Sequence, residues 1–395
     1  MLERDSTNRG QSVPPGQSTV EVGDLAESRR WCGLSRRHFF FILVVGTVLF
    51  VYGTNVTEIS SDWNPQWLKN YNAKKIKIPQ PAAVTITNKD ISPTSAVMNI
   101  TTSENKSEPQ TPPPYKSPGL YLVEYPYEYH FTINEPNKCE QQKPFLVLIV
   151  PVAPHNRAHR DIIRSTWGSE TLVLDKVVNL FFLLGQQNRE GAEQLQEQLL
   201  QESKEHGDLI QSNFIDCYKN LTIKTMVMME WLDSHCLGTS YAMKIDSDMF
   251  LNVPKLVSML SNVPKTNYLT GLVARRGAVL RNKGSKWYVP EYIYPQAYYP
   301  RYALGLGYVF SVDLAKKLVE AARHVKAIYI EDVYLGMCMQ HLHIPPTDPP
   351  NWGYFQVFPV QYSRCTYSKL IATTTNPSLD RVWAWKDYKK PGQYC

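Results

Sequence analysis

Two stretches of this chain are apolar almost without interruption: PFLVLIVPVA (Pro144–Ala153) and KVVNLFFLLG (Lys176–Gly185). A strand that is apolar at successive positions is covered on both faces, as strands of parallel sheets are. A third stretch, YAMKIDSDMFLN (Tyr241–Asn252), reads as a strand that stops at two carboxylates. Asp246 and Asp248 are separated only by Ser247. If the strand holds that far, its alternation points both carboxylates the same way.

Helical patterns lie between the strands. HNRAHRDIIRSTWG (His155–Gly168) turns Ile162 and Ile163 inward and repeats Arg160 and Arg164 four residues apart. Ala192–His206 is Gln/Glu-rich and amphipathic, Leu209–Asp216 reads as a short strand, and Leu221–His235 is a helix with Met226, Met229 and Trp231 as core. Alternation of this kind predicts an α/β sheet with helices on both faces. Ligands of such sheets bind beyond the carboxyl ends of the strands, where Asp246 and Asp248 fall. Further on, Tyr268–Arg275 reads as a strand, Leu304–Ser311 returns to the core, and Gly305 and Gly307 permit close backbone approach. Lys286–Tyr302, crowded with Trp, Tyr and Pro, reads as a loop lining a cleft. Val312–His324 is a helix, Tyr329–Gly336 enters another, and a short one is expected near Val382–Trp385.

Ahead of this lies different material. Residues 1–38 are polar and end in Arg29, Arg30, Arg36 and Arg37. Residues 39–54 carry no charge. They are short for a span, but an uncleaved signal-anchor fits better than a signal peptide with so long a basic leader. The arginines place the N-terminus in the cytosol and the remainder in the lumen. Residues 55–138 are rich in Pro, Thr, Ser and Asn and read as a stem. Sequons at Asn99, Asn105 and Asn220 agree with lumenal exposure. The folded domain is expected over residues 139–395. Net charge is +6 without a long basic run, which argues against a nucleic-acid partner. Seven cysteines occur, with Cys32 on the cytosolic side; the other six are expected to form disulfides of undetermined pairing.

Two adjacent hard oxygen ligands suit Mg²⁺ or Mn²⁺, with open positions for substrate phosphates. Asp-Ser-Asp is also good turn chemistry, so these residues alone leave both readings open.

Seven blocks, in order, carry a resemblance: RDIIRSTWG (Arg160–Gly168), FFLLG (Phe181–Gly185), NLTIKT (Asn220–Thr225), MKIDSDMF (Met243–Phe250), SKWYVP (Ser285–Pro290), GYVFS (Gly307–Ser311) and EDVYLG (Glu331–Gly336). The chain resembles the animal Golgi β1,3-glycosyltransferase family over about Cys139–Cys395, its galactosyltransferase branch most of all. The resemblance implies a GT-A-type fold, a Rossmann-like mixed sheet, behind a single anchor and stem. It implies a type II Golgi membrane enzyme that transfers a sugar with inversion from a UDP-sugar, UDP-galactose first, to a glycan on a glycoprotein or glycolipid. By the same resemblance Asp246 and Asp248 hold Mn²⁺ against the diphosphate, with Asp248 the stronger direct ligand. Arg164 and Trp167 lie near the nucleotide, although Trp167 reads equally well as a core aromatic and Arg160 as a structural ion pair. Asp332 is the catalytic base and Glu331 beside it positions structure, where without the block both read as helix N-terminal carboxylates. Trp287 and Tyr288 are candidates to stack on an acceptor sugar. Cys338 and Cys365 match positions expected to pair.

Three departures from the family pattern stand out. The galactosyltransferase block YPPYCSGTGYVFS reads YPRYALGLGYVFS here, changing Arg301, Ala303, Leu304 and Leu306. Cys217 is extra. The C-terminal His expected as a further metal ligand is absent from Ile371–Pro377, with Thr374 near its place. Three readings therefore stay open at this point: a β1,3-galactosyltransferase acting on terminal N-acetylglucosamine, a β1,3-N-acetylglucosaminyltransferase acting on galactose, and a catalytically silent lumenal binding protein. Oligomeric state stays open as well, a homodimer included.

Overall fold

The computed structural model describes residues 118–395. The tail, the apolar segment at 39–54, most of the stem, and Asn99 and Asn105 lie outside the described residues. Among the described residues no helix is long and apolar enough to cross a membrane.

In chain order, β1 (Phe131–Ile133) and α1 (Lys138–Gln142) precede β2 (Leu146–Pro151) and α2 (Arg157–Arg164). Then come β3 (Leu172–Val173), β4 (Lys176–Gln186), α3 (Ala192–His206), β5 (Leu209–Ile215), α4 (Leu221–His235) and β6 (Tyr241–Ile245). After β6 follow β7 (Met249–Leu251), α5 (Val253–Leu260), β8 (Leu269–Ala274), β9 (Tyr302–Ser311), α6 (Asp313–Ala322) and α7 (Glu331–His341). The C-terminal part holds β10 (Phe355–Gln356), α8 (Arg364–Lys369), β11 (Ala372–Thr374) and α9 (Arg381–Tyr388).

The main sheet runs β1-β5-β4-β2-β6-β9-β8, with β3 beside β4. β5, β4, β2 and β6 are mutually parallel, while β9 is antiparallel to both β6 and β8. This is the mixed α/β sheet expected from the apolar runs. Their lack of alternation follows from two-sided burial. Val147, Ile149, Phe181 and Leu183 pack with α4, α6 and α7 on one face. Leu146, Leu148, Val150 and Phe182 pack with Ile163, Trp167 and α5 on the other.

Two boundaries move. The packed domain reaches back beyond Cys139: Val123, Tyr125 and Ile133 are buried, and β1 pairs antiparallel with β5. The strand at Tyr241 stops at Ile245, and Asp246–Asp248 form a turn closed by the Met249 N–H on the Asp246 carbonyl. The alternation argument therefore fails there. The chain turns into β7, which joins β11 and β10 in a small second sheet.

The expected Cys338–Cys365 disulfide is not formed. Cys139 bonds Cys236, and Cys365 bonds Cys395. Cys338 is enclosed in the core on α7, where burial pushes its thiol up to about 12. Cys365 sits on α8, beside the C-terminal tail.

Candidate active site

The acidic turn is gripped from several directions. Asp246 donates its N–H to the Leu306 carbonyl at the start of β9, 3.0 Å away. Thr375, just past β11, donates both its N–H (3.0 Å) and its hydroxyl (2.6 Å) to the Asp248 carbonyl. Arg381, the first residue of α9, donates to the Ser247 carbonyl at 2.6 Å. His159 on α2 lies 3.2 Å from the Ser247 hydroxyl. The Trp167 indole N–H donates to the Met249 carbonyl at 3.0 Å.

Because β9 runs antiparallel to β6, its first half lies beside the turn, with Ile245 opposite Gly307. The start of α7 packs there too, and Gly305 makes the approach possible. A Cβ on Gly305 would sit 2.9 Å from Glu331 Oε2 and 3.5 Å from Asp332 Oδ2. Gly307 has no such need, since a Cβ there would meet only ordinary contacts from 3.4 Å outward.

Asp332 is half-buried on the first turn of α7. Its Oδ2 accepts the Gly305 N–H at 2.9 Å and its Oδ1 the Val333 N–H at 2.9 Å. Burial raises its pKa, and the two N–H bonds pull the other way. Glu331 turns into the core and accepts from the Tyr308 hydroxyl (2.6 Å) and the Thr225 hydroxyl (3.1 Å).

Lys244, which sequence reasoning passed over, stands between the two acidic groups. It is buried in β6 with its ammonium 2.7 Å from Asp246 Oδ1 and 4.0 Å from Glu331 Oε2, and it donates to the Gly305 carbonyl. Burial pushes the Asp246 carboxyl up to about 6, opposed by Lys244 and assisted by Asp248. The available signal was a charged residue inside an otherwise apolar strand.

Tyr218 was also missed. Burial first, then the charges of Asp332, Asp246 and Glu331, raise its pKa. Its side chain also bonds Trp287, and Lys286 lies over both rings. Trp287 is exposed, as a stacking surface requires. Tyr288 instead packs its ring edge against Tyr121, with centroids 5.4 Å apart.

Arg164 and Trp167 do not line the cleft. Arg164 is engaged by Asp161, Glu202 and Asp208 at 2.7–2.8 Å. Asp208 precedes β5, which β4 and β2 separate from β6. Trp167 is buried behind the turn. Arg160 forms the structural ion pair, bonded to Glu202 at 2.6 and 2.7 Å with both side chains inaccessible. The Asn220 amide nitrogen donates to the Ile215 carbonyl at 2.8 Å.

Among the described residues no three His, Cys, Asp or Glu side chains group as metal ligands. Thr374, near the place of the expected His, donates to the Val357 carbonyl. The two hard carboxylates of the turn still suit an ion whose remaining positions are filled by phosphate and water.

A galactosyltransferase family model matches residues 158–350, and a beta-1,3-galactosyltransferase 2 N-terminus model matches residues 71–147. Over 266 residues the chain is 41% identical to beta-1,3-galactosyltransferase 2 of Homo sapiens, covering 66% of this chain and 63% of that protein. It is 36% identical over 270 residues to beta-1,3-galactosyltransferase 1 of Mus musculus, covering 67% of this chain and 81% of that one. The chain thus matches less than two thirds of the length of the first of these relatives and most of the second. A solved bifunctional glycosyltransferase, WbbM, aligns with a TM-score of 0.33 and 10% identity over 60% of this chain and 46% of its own, too distant to carry an argument. Both the acidic turn and Asp332 fall inside the matched segments, and the chain belongs to the galactosyltransferase family.

Proposed function

We propose that this protein is an inverting β1,3-galactosyltransferase. It moves galactose from UDP-galactose to the 3-hydroxyl of a terminal N-acetylglucosamine on a glycoprotein or glycolipid glycan. The observation that carries the reading is the approach of Asp332 to the Asp246–Asp248 turn across Gly305, within a chain of this family. Galactose as donor rests on the names of the relatives, beta-1,3-galactosyltransferases 1 and 2.

In this mechanism the acceptor 3-oxygen attacks the anomeric carbon of galactose. The bond from that carbon to the β-phosphate oxygen breaks, and UDP leaves with the electron pair. Asp332 accepts the proton of the attacking hydroxyl, as inversion in one displacement requires. Asp246 and Asp248, foremost Asp248, would hold a divalent cation such as Mn²⁺, which when bound would supply positive charge where the leaving diphosphate becomes negative. Tyr218 and Trp287 form the wall on which the acceptor sugar rests.

The topology belongs to the same reading: a cytosolic tail at 1–38, a Golgi signal-anchor at 39–54, a lumenal stem, and a lumenal catalytic domain. The deciding experiment is transfer by the purified full chain with Mn²⁺, offered UDP-galactose or UDP-N-acetylglucosamine against simple N-acetylglucosamine and galactose acceptors. Galactose transfer to N-acetylglucosamine supports the reading. Exclusive use of the other donor, or no transfer by a folded chain, refutes it.

A further inference from the structure

We propose that Lys244 is a positioning residue that holds the acidic turn and the proton acceptor in one frame. The inference rests on the transferase reading above and goes beyond it.

The chain of contacts is short. The Lys244 ammonium pairs with Asp246 at 2.7 Å and donates to the carbonyl of Gly305. The same Gly305 donates its N–H to Asp332 Oδ2 at 2.9 Å. One residue of β9 is therefore held by Lys244 through its carbonyl and holds Asp332 through its amide. The third neighbour of the ammonium is Glu331 Oε2 at 4.0 Å, next to Asp332 in sequence.

An ammonium has three donors. Two of them reach Asp246 and the Gly305 carbonyl, Glu331 lies 4.0 Å away, and the side chain is only 7% exposed. An ammonium enclosed in this way acts through its neighbours rather than on the substrate. Neighbours on the packed elements reinforce the frame. Tyr308 on β9 and Thr225 on α4 fix Glu331 from its other oxygen. The Lys244 ammonium also lies 6.0 Å from the centre of the Tyr308 ring.

Glycine at 305 leaves the carboxylates of Glu331 and Asp332 in place. A Cβ at 305 would press on Glu331 Oε2 at 2.9 Å and displace the carboxylates that the bridge aligns. A shift of about 1 Å in a reacting group costs on the order of 100-fold in rate.

The test uses the full chain with Mn²⁺, UDP-galactose and an N-acetylglucosamine acceptor. Lys244→Met removes the cation at similar length, and Gly305→Ala disturbs the bridge from the other side. Each is expected to lower kcat on the order of 100-fold; Thr375 and Arg381 still hold the Asp248 and Ser247 carbonyls, so KM for UDP-galactose and UDP affinity change by less than about threefold. The double variant should lose little more than the worse single one, because both act through the same contact. A loss carried by KM or UDP affinity would make Lys244 a donor-binding group and overturn the proposal. Independent, additive losses would overturn it too. If Lys244→Met does not fold, Gly305→Ala decides alone, and full kcat in that variant refutes the frame. Wild-type turnover separates the two readings: a wild type that transfers no galactose refutes the transferase, while an active wild type with unimpaired variants refutes only the role of Lys244.

Discussion

Asp332 can accept a proton only while it is ionised, and its surroundings pull its pKa in two directions. Removal from water favours the neutral acid, whereas the Gly305 and Val333 N–H groups favour the carboxylate. Burial wins, so the acid limb of kcat/KM should lie above the usual aspartate value of about 3.9. The sign follows from the role: activity rises with pH as the carboxyl loses its proton, and falls as pH drops through its raised pKa. A pH–rate profile at saturating Mn²⁺, which keeps Asp246 ionised, reads this limb; a midpoint at or below the ordinary value contradicts the burial argument. Asp332→Asn should lower kcat by about 10²–10⁴-fold with UDP binding retained. Unchanged turnover in that variant would remove Asp332 from the chemistry. Asp332 and Asp246 could be named as candidates from the sequence because each sits in a compact block. Lys244 could not: Asp246 is two residues away, but its other partners, Gly305 and Glu331, come from β9 and α7, and nothing local in YAMKID shows that a buried lysine meets them.

The strands and helices of the parallel half were legible for a related reason: two-sided burial writes itself as unbroken apolar runs. The small sheet of β7, β11 and β10 was not, because its strands are two or three residues long and pair across the chain. That sheet nevertheless fixes the acidic turn, by carrying Thr375 and Arg381 to the carbonyls of Asp248 and Ser247. Arg381→Met should therefore loosen the turn without touching its carboxylates. The expected result is Mn²⁺-dependent UDP binding weakened by about 10–100-fold, the usual range for groups that orient metal ligands. Titration calorimetry with and without Mn²⁺ checks it, and unchanged affinity would show that the turn holds its shape unaided. On α2, Arg160 has a different task. It lies fully buried against Glu202, and the same helix offers Arg164 to Asp208. Glu202→Ala strands the Arg160 charge in the core and should cost about 3–5 kcal/mol of stability. Chemical denaturation measures that loss, and a cost below about 1 kcal/mol, as for an exposed pair, would contradict it.

Among the described residues two disulfides tie the domain together, and neither was assignable from spacing, since six cysteines admit many pairings. Cys139–Cys236 joins the segment before β2 to the end of α4, across a separation of 97 residues. Cys365–Cys395 ties the C-terminal tail to α8, next to the elements that carry Arg381. The first tie closes the larger loop and encloses β2, β4 and β5, the parallel strands on one side of the sheet. It therefore removes more freedom from the unfolded chain than the second. Replacing Cys139 and Cys236 together by Ala should cost about 2–5 kcal/mol. Replacing Cys365 and Cys395 should cost less, since loop entropy grows with length. Each bond removed singly and followed by thermal and denaturant unfolding tests the order. If the tail disulfide proves the costlier, the stability of this domain resides in its C-terminal clamp on the acidic turn rather than in the parallel sheet.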